Sequence, residues 1–163
     1  MNYKENRVEI IQKKMNSLLN SVTDENCRNT FYVHLYGVSN FAALLAARRG
    51  LDEELAVVSG LMHDISLLTS NDYENHCEKG AQMAKKILTD TKLFSVEEIN
   101  IITDAIYHHN DIEFVHSLYD EILKDADILH PFFNDIPEPA FPPAKSRLEK
   151  IMTELNIPIN IIK

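Results

Sequence analysis

The chain has 163 residues, 45% of them hydrophobic and 25% charged, with two cysteines and a formal net charge of −9. That length buries enough surface for one domain, taken as residues 1–163, to need no disulfide or structural metal. The acidic balance argues against a nucleic-acid backbone or an anionic membrane as the main partner, because both call for a basic stripe. Cys27 and Cys77 show no CxxC spacing, and neither an apolar leader nor an apolar stretch of about 18 residues is present, so the expected setting is the cytoplasm and no membrane.

Apolar residues recur every three or four positions almost throughout, which predicts an all-α, single-domain bundle of about six or seven helices. The first covers about residues 4–20, with Val8, Ile11, Met15 and Leu18 on one side. The second begins near Asp24 and runs to Arg49, where Gly50 is a natural stop; its inward stripe reads Phe31, Leu35, Val38, Phe41, Ala42, Leu45. A third opens on Asp52-Glu53-Glu54, acids that suit a helix N-terminus, and continues to about Ile65. Residues 66–75 break the period and read as a loop. A fourth helix covers about 76–90. Ser95 to Glu98 is a capping-box pattern that starts a fifth helix ending near His109. A sixth spans about 115–130 and is expected to halt at Pro131. Residues 131–143 carry five of the six prolines and read as a stiff loop or a lid. A last helix covers about 143–156.

Polar groups interrupt this pattern at particular places. His34 lies on the inward stripe of the second helix. His63 and Asp64 close the third inside GLMHDISLL, and Asp127 follows Leu123 by one turn. Each has an ordinary explanation. His34 suits a hydrogen-bonded core histidine, Asp127 a pair with Lys124 three residues earlier, and His63-Asp64 a cap for their own helix. One divalent cation, however, accounts for all of them, because buried carboxylates need a cation and neutral imidazoles supply nitrogen ligands. His76 and the pair His108-His109 form a second group, enough for two ions; their ordinary reading is as residues at helix ends. Two divalent ions against two aspartates leave a positive centre suited to in-line attack on a phosphoryl group. Lys79, one turn from His76, and Arg147, on the last helix with Lys145, are weaker candidates for substrate phosphate; the ordinary reading is a solvated surface cation.

The order of these elements resembles the HD-domain superfamily. It reads His34 in HLYGVSNFA, His63-Asp64 in LMHDI, His76 in HCEKGA, His108-His109 in AIYHHND and Asp127 in KDADIL, covering about residues 28–130. Among its members the layout is most similar to small bacterial proteins related to the diadenosine tetraphosphate hydrolases. The resemblance implies a helical fold with a centre of one or two divalent ions (Mn, Fe, Ni, Zn or Mg). His34, His63, Asp64 and Asp127 would be the core ligands, with His76 and one or both of His108 and His109 on a second ion. It also implies hydrolysis of a phosphomonoester, phosphodiester or nucleotide by activated water, with His63 and Asp64 as the expected catalytic pair; as the one carboxylate held beside a ligand histidine, Asp64 is the best candidate to lie between two ions. The chain departs from the family where a lysine often follows His-Asp-Ile and where an acidic pair often follows: here stand Ser66, Leu67 and Leu68. Two other readings remain, a diiron oxygenase of the myo-inositol oxygenase type and a non-catalytic metal- or nucleotide-binding module.

Overall fold

Helix starts in this protein are marked by side chains that accept from otherwise unpaired N–H groups. Asn6 accepts from the amide of Val8, Asp24 from that of Cys27, and Asp52 from those of Glu54 and Leu55. Ser95 and Glu98 form the expected reciprocal capping box. The computed structural model describes residues 6–70, 72–134 and 142–158. Among these residues lie α1 (Arg7–Ser21), α2 (Glu25–Arg49), α3 (Glu53–Met62), α4 (His76–Thr91), α5 (Val96–His108), α6 (Leu118–Phe133) and α7 (Pro142–Glu154), with no strand. Gly50 ends α2 at φ 69°, and the Leu51 amide returns to the Ala46 carbonyl 2.9 Å away.

The helix α3 is the centre of the bundle. Seven of its ten residues, from Leu55 to Met62, are buried, and it packs on α2, α1, α5 and α6. A helix apolar all round belongs in the interior. Its crossing with α2 is close: a Cβ on Gly60 would stand 2.6 Å from the Ser39 Cα. Arg7 ties α1 to the neighbouring helices through Glu54 and Glu98, its guanidinium 4.6 Å from the centre of the Phe94 ring.

Several boundaries differ from the sequence reading, among them the starts of α1 and α6, at Arg7 and Leu118 instead of about 4 and 115. Helix α3 stops at Met62; His63 and Asp64 form a turn that leads into a 3-10 turn at Ile65–Leu68, whose four residues are buried. The expected loop from residue 66 therefore begins only after Leu68, because Ile65, Leu67 and Leu68 are packed rather than solvated. Pro131 does not halt α6, which continues to Phe133. The ring removes one N–H, but Phe133 stacks on Phe41 at 5.5 Å and Asn134 closes the helix on the carbonyls of His130 and Pro131. Pro142 and Pro143 open α7, where a missing N–H costs no helical bond. The rest of the expected proline loop, residues 135–141, lies outside the described residues, and with it the lid reading.

Candidate metal centre

Six side chains from five stretches of chain converge beside the C-terminal end of α3. His63, fully buried, donates from Nδ1 to the Gly60 carbonyl at 2.8 Å and so presents Nε2 inward. His76, in the first turn of α4, is turned the same way by the Tyr73 carbonyl at 2.6 Å. His109, just past α5, is turned by the Ile106 carbonyl, also at 2.6 Å. A carbonyl on Nδ1 fixes the tautomer whose Nε2 lone pair is free for a cation. His34 of α2 completes the set, its Nε2 being 3.0 Å from that of His63.

Asp64 lies between two halves of this cluster. Its Oδ2 is 3.5 Å from His34 Nε2 and 3.4 Å from His63 Nε2, while Asp127 Oδ1 is 3.4 and 3.6 Å from the same two nitrogens. The other oxygen, Oδ1, is 3.7 Å from His76 Nε2 and 3.6 Å from His109 Nε2. That oxygen is buried and has no hydrogen-bond partner among the described residues. An unpartnered buried carboxylate oxygen is costly and fits a cation. The inward nitrogens and carboxylates could serve as donors for a borderline divalent ion on either side of Asp64.

Electrostatics reinforce this reading. Burial alone would raise the Asp64 pKa, but His63, His109 and His34 outweigh it and hold the carboxyl well below its ordinary range. Burial pushes against protonation of His63 and His109. The carboxylates, chiefly Asp64, outweigh it and raise both, with Cys77 adding to the rise at His109. A cation bound here would compete with protons for these nitrogens.

The structure does not bring every expected residue here. His108 faces away, Nδ1 3.4 Å from Asp120 Oδ2 and its ring stacked at 4.0 Å on His116. Successive helical residues point about 100° apart, and at the end of α5 it is His109 that turns to the centre while His108 turns to Asp120. Lys79 is ion-paired with Asp72. Arg147 is held by Glu121 at 2.6 Å and Asp125 at 2.8 Å. Asp125 and Asp127, two apart on α6, point to nearly opposite sides, so Arg147 serves the α6–α7 contact instead of the centre. Lys124 does not pair with Asp127 either; buried, it is held by the Phe114 carbonyl, His116 and Glu121.

Two residues at the centre were not anticipated. The first is Cys77, whose Sγ lies 3.4 Å from His76 Nε2 and 3.9 Å from His109 Nε2. The second is His130, whose Nδ1 is 3.2 Å from His34 Nδ1. Burial, then His34, lowers the His130 pKa, so the ring stays neutral and can accept the His34 Nδ1 proton. A Cβ on Gly37 would stand 2.1 Å from His130 Cδ2, so the glycine makes room for that ring. His130 had a sequence signal, since it follows Asp127 by three residues and shares its helix face.

The sequence matches the HD domain family over residues 31–131. It is similar to Ribonuclease Y of Thermus thermophilus, 33% identical over 97 residues, and to Ribonuclease Y of Lactobacillus helveticus, 34% identical over 98 residues. Each match takes in 59% of this chain but only 15% and 16% of those relatives, so the chain spans less than a fifth of their length. A predicted HD superfamily hydrolase from an uncultured Thermotogales bacterium superposes with a TM-score of 0.64 at 20% identity, over 93% of this chain and 95% of that one.

Proposed function

Because the chain belongs to the HD domain family, we propose that it is a metal-dependent phosphohydrolase with a dinuclear centre. The substrate would be a small phosphomonoester, phosphodiester or nucleotide. The observation that carries this reading is the division of Asp64, one oxygen toward His34 and His63 and the other toward His76 and His109. Divalent ions held there supply Lewis-acid activation of water and neutralise phosphoryl charge.

The chain's own residues set the rest. The carbonyls of Gly60, Tyr73 and Ile106 hold three imidazoles in the metal-binding tautomer. His63 and His109 form a dry floor, at 0% and 3% exposure, whereas Asp127 at 31% and His34 at 25% make the open side on which a substrate enters. With no cation, Asp64 and Asp127 in a chain of net charge −9 would repel a phosphate. The same charge supports a small substrate over a long polyanion, although the Ribonuclease Y relatives are by name nucleases.

The test is metal-loaded protein assayed with Mn²⁺, Ni²⁺, Mg²⁺, Fe²⁺ and Zn²⁺ on aryl phosphates, aryl phosphodiesters, nucleotides, dinucleoside polyphosphates and a short RNA. Release of phosphate or alcohol from at least one small-molecule class, lost in Asp64→Ala, is expected. Absence of turnover with every metal in loaded protein would support a binding module and overturn the proposal. Oxygen consumption coupled to turnover would replace it with an oxygenase, and hydrolysis of RNA alone would shift the substrate.

A further inference from the structure

The two sides of Asp64 are chemically unequal. Around Oδ2 stand two imidazoles and Asp127, all nitrogen and oxygen donors. Toward Oδ1 lie His76 and His109, with the Cys77 sulfur beside them, and the donor atoms of these three residues all lie within 4.8 Å of one another. We propose that Cys77 is a thiolate ligand of the ion on the Oδ1 side, which makes that position a nitrogen–sulfur site selective for Zn²⁺, Co²⁺ or Fe²⁺ over Mg²⁺ and Mn²⁺. The inference rests on the metal centre of the proposed function, not on its substrate.

The distances fit a tetrahedral site. Bonds of about 2.0–2.1 Å to nitrogen and about 2.3 Å to sulfur set N···N edges of roughly 3.3 Å and N···S edges of roughly 3.6 Å. The structure has 3.2 Å between His76 and His109 Nε2, and 3.4 and 3.9 Å from these to the sulfur. Asp64 Oδ1, the buried oxygen without a hydrogen-bond partner among the described residues, lies 3.7 and 3.6 Å from the two nitrogens. Cys77 is the second residue of α4, next to His76 in the chain. It is a free, half-buried thiol, whereas Cys27, in the first turn of α2, is exposed. The ordinary alternative is a small polarisable side chain that merely packs beside two imidazoles. Selectivity follows from softness: thiolate suits zinc and iron, while magnesium and manganese prefer oxygen.

The test uses Co²⁺ as probe and thiol reactivity as a second readout. Metal-free protein should bind two equivalents of Co²⁺ and develop a sulfur-to-cobalt charge-transfer band in the near ultraviolet, and Cys77→Ser should lose the band and one equivalent. In the unaltered chain two thiols should react with an alkylating reagent when metal-free, but one when Zn²⁺-loaded, with mass spectrometry placing the protection on Cys77. Mg²⁺ should not protect. Two bound Co²⁺ without the band, or Cys77 alkylated as fast with Zn²⁺ as without, would overturn the cysteine ligand while the centre stands. Failure to bind any Co²⁺ would overturn the centre and this inference with it. Because the thiol readout needs no variant, it decides even if Cys77→Ser does not fold.

Discussion

Four imidazoles present Nε2 to the centre, and His34 is the one whose Nδ1 is paired with another side chain instead of a backbone carbonyl. A backbone acceptor persists through any substitution of its residue; His130 does not. His130→Ala should therefore weaken metal binding by about 10–100-fold, the usual effect of losing a partner that orients a ligand. Gly37→Ala should do the same by displacing the His130 ring. A competition titration with a chromophoric chelator measures both, and unchanged affinity would mean that His34 needs no orienting partner. The sequence made the donors legible where a polar residue stood on an apolar stripe. The sequence reading keeps the pair His108-His109 together, although Ile99, Ile102 and Ile106 lead by steps of three and four to His109 and not to His108. Cys77 had no such signal. It neighbours His76 on a helix, and only the bend of chain into α4 lets both reach one point.

Helix starts were readable because Asp24, Asp52 and Ser95 are local capping signals. The stops were less so, since they depend on distant packing: Phe41 lies some ninety residues before the Pro131 that it helps α6 to accommodate. The same holds for α7, whose anchoring no local pattern announces. Arg147 binds Glu121 and Asp125, and Arg49 of α2 binds Asp125 and Glu154, all with side chains less than one-third exposed. Without Arg147, Asp125 keeps Arg49 and Glu121 keeps Lys124, so neither carboxylate is left alone. Arg147→Ala should lower stability by about 2 kcal/mol in denaturant unfolding, the usual size for lost charge-assisted hydrogen bonds, while leaving the metal content unchanged. Loss of metal at full stability would instead return Arg147 to the centre.

For the molecule as a whole, pH separates the metal-free from the loaded protein. His63 and His109 have folded pKa values above their unfolded value of about 6.5. Their stabilising contribution is complete below that pH and disappears as pH rises through the folded values. The metal-free protein should therefore melt at progressively lower temperature from about pH 6.5 upward. Metal binding has the opposite dependence, because the ion competes with protons for the same nitrogens. At a concentration of 100 times its Kd, an ion adds about 2.7 kcal/mol, and each kcal/mol raises the Tm of a chain this size by about 2–4 °C. The gap between loaded and metal-free melting temperatures should widen from pH 6 to pH 8; a constant gap would mean that these imidazoles are not the ligands. The helical class and the order of the ligands were legible in sequence because both are carried by local spacing. Asp64 between two groups of donors was expected too, but which donors face each of its oxygens was not legible, since that is set only when α2, α4, α5 and α6 meet around the turn after α3. The most direct test of that arrangement is elemental analysis of the unaltered chain and of Asp64→Ala, with far-UV circular dichroism showing that both are folded. Two ions per unaltered chain and none in the folded variant are expected; an unaltered chain without stoichiometric metal, or a variant that retains both ions, would contradict a centre bridged by Asp64.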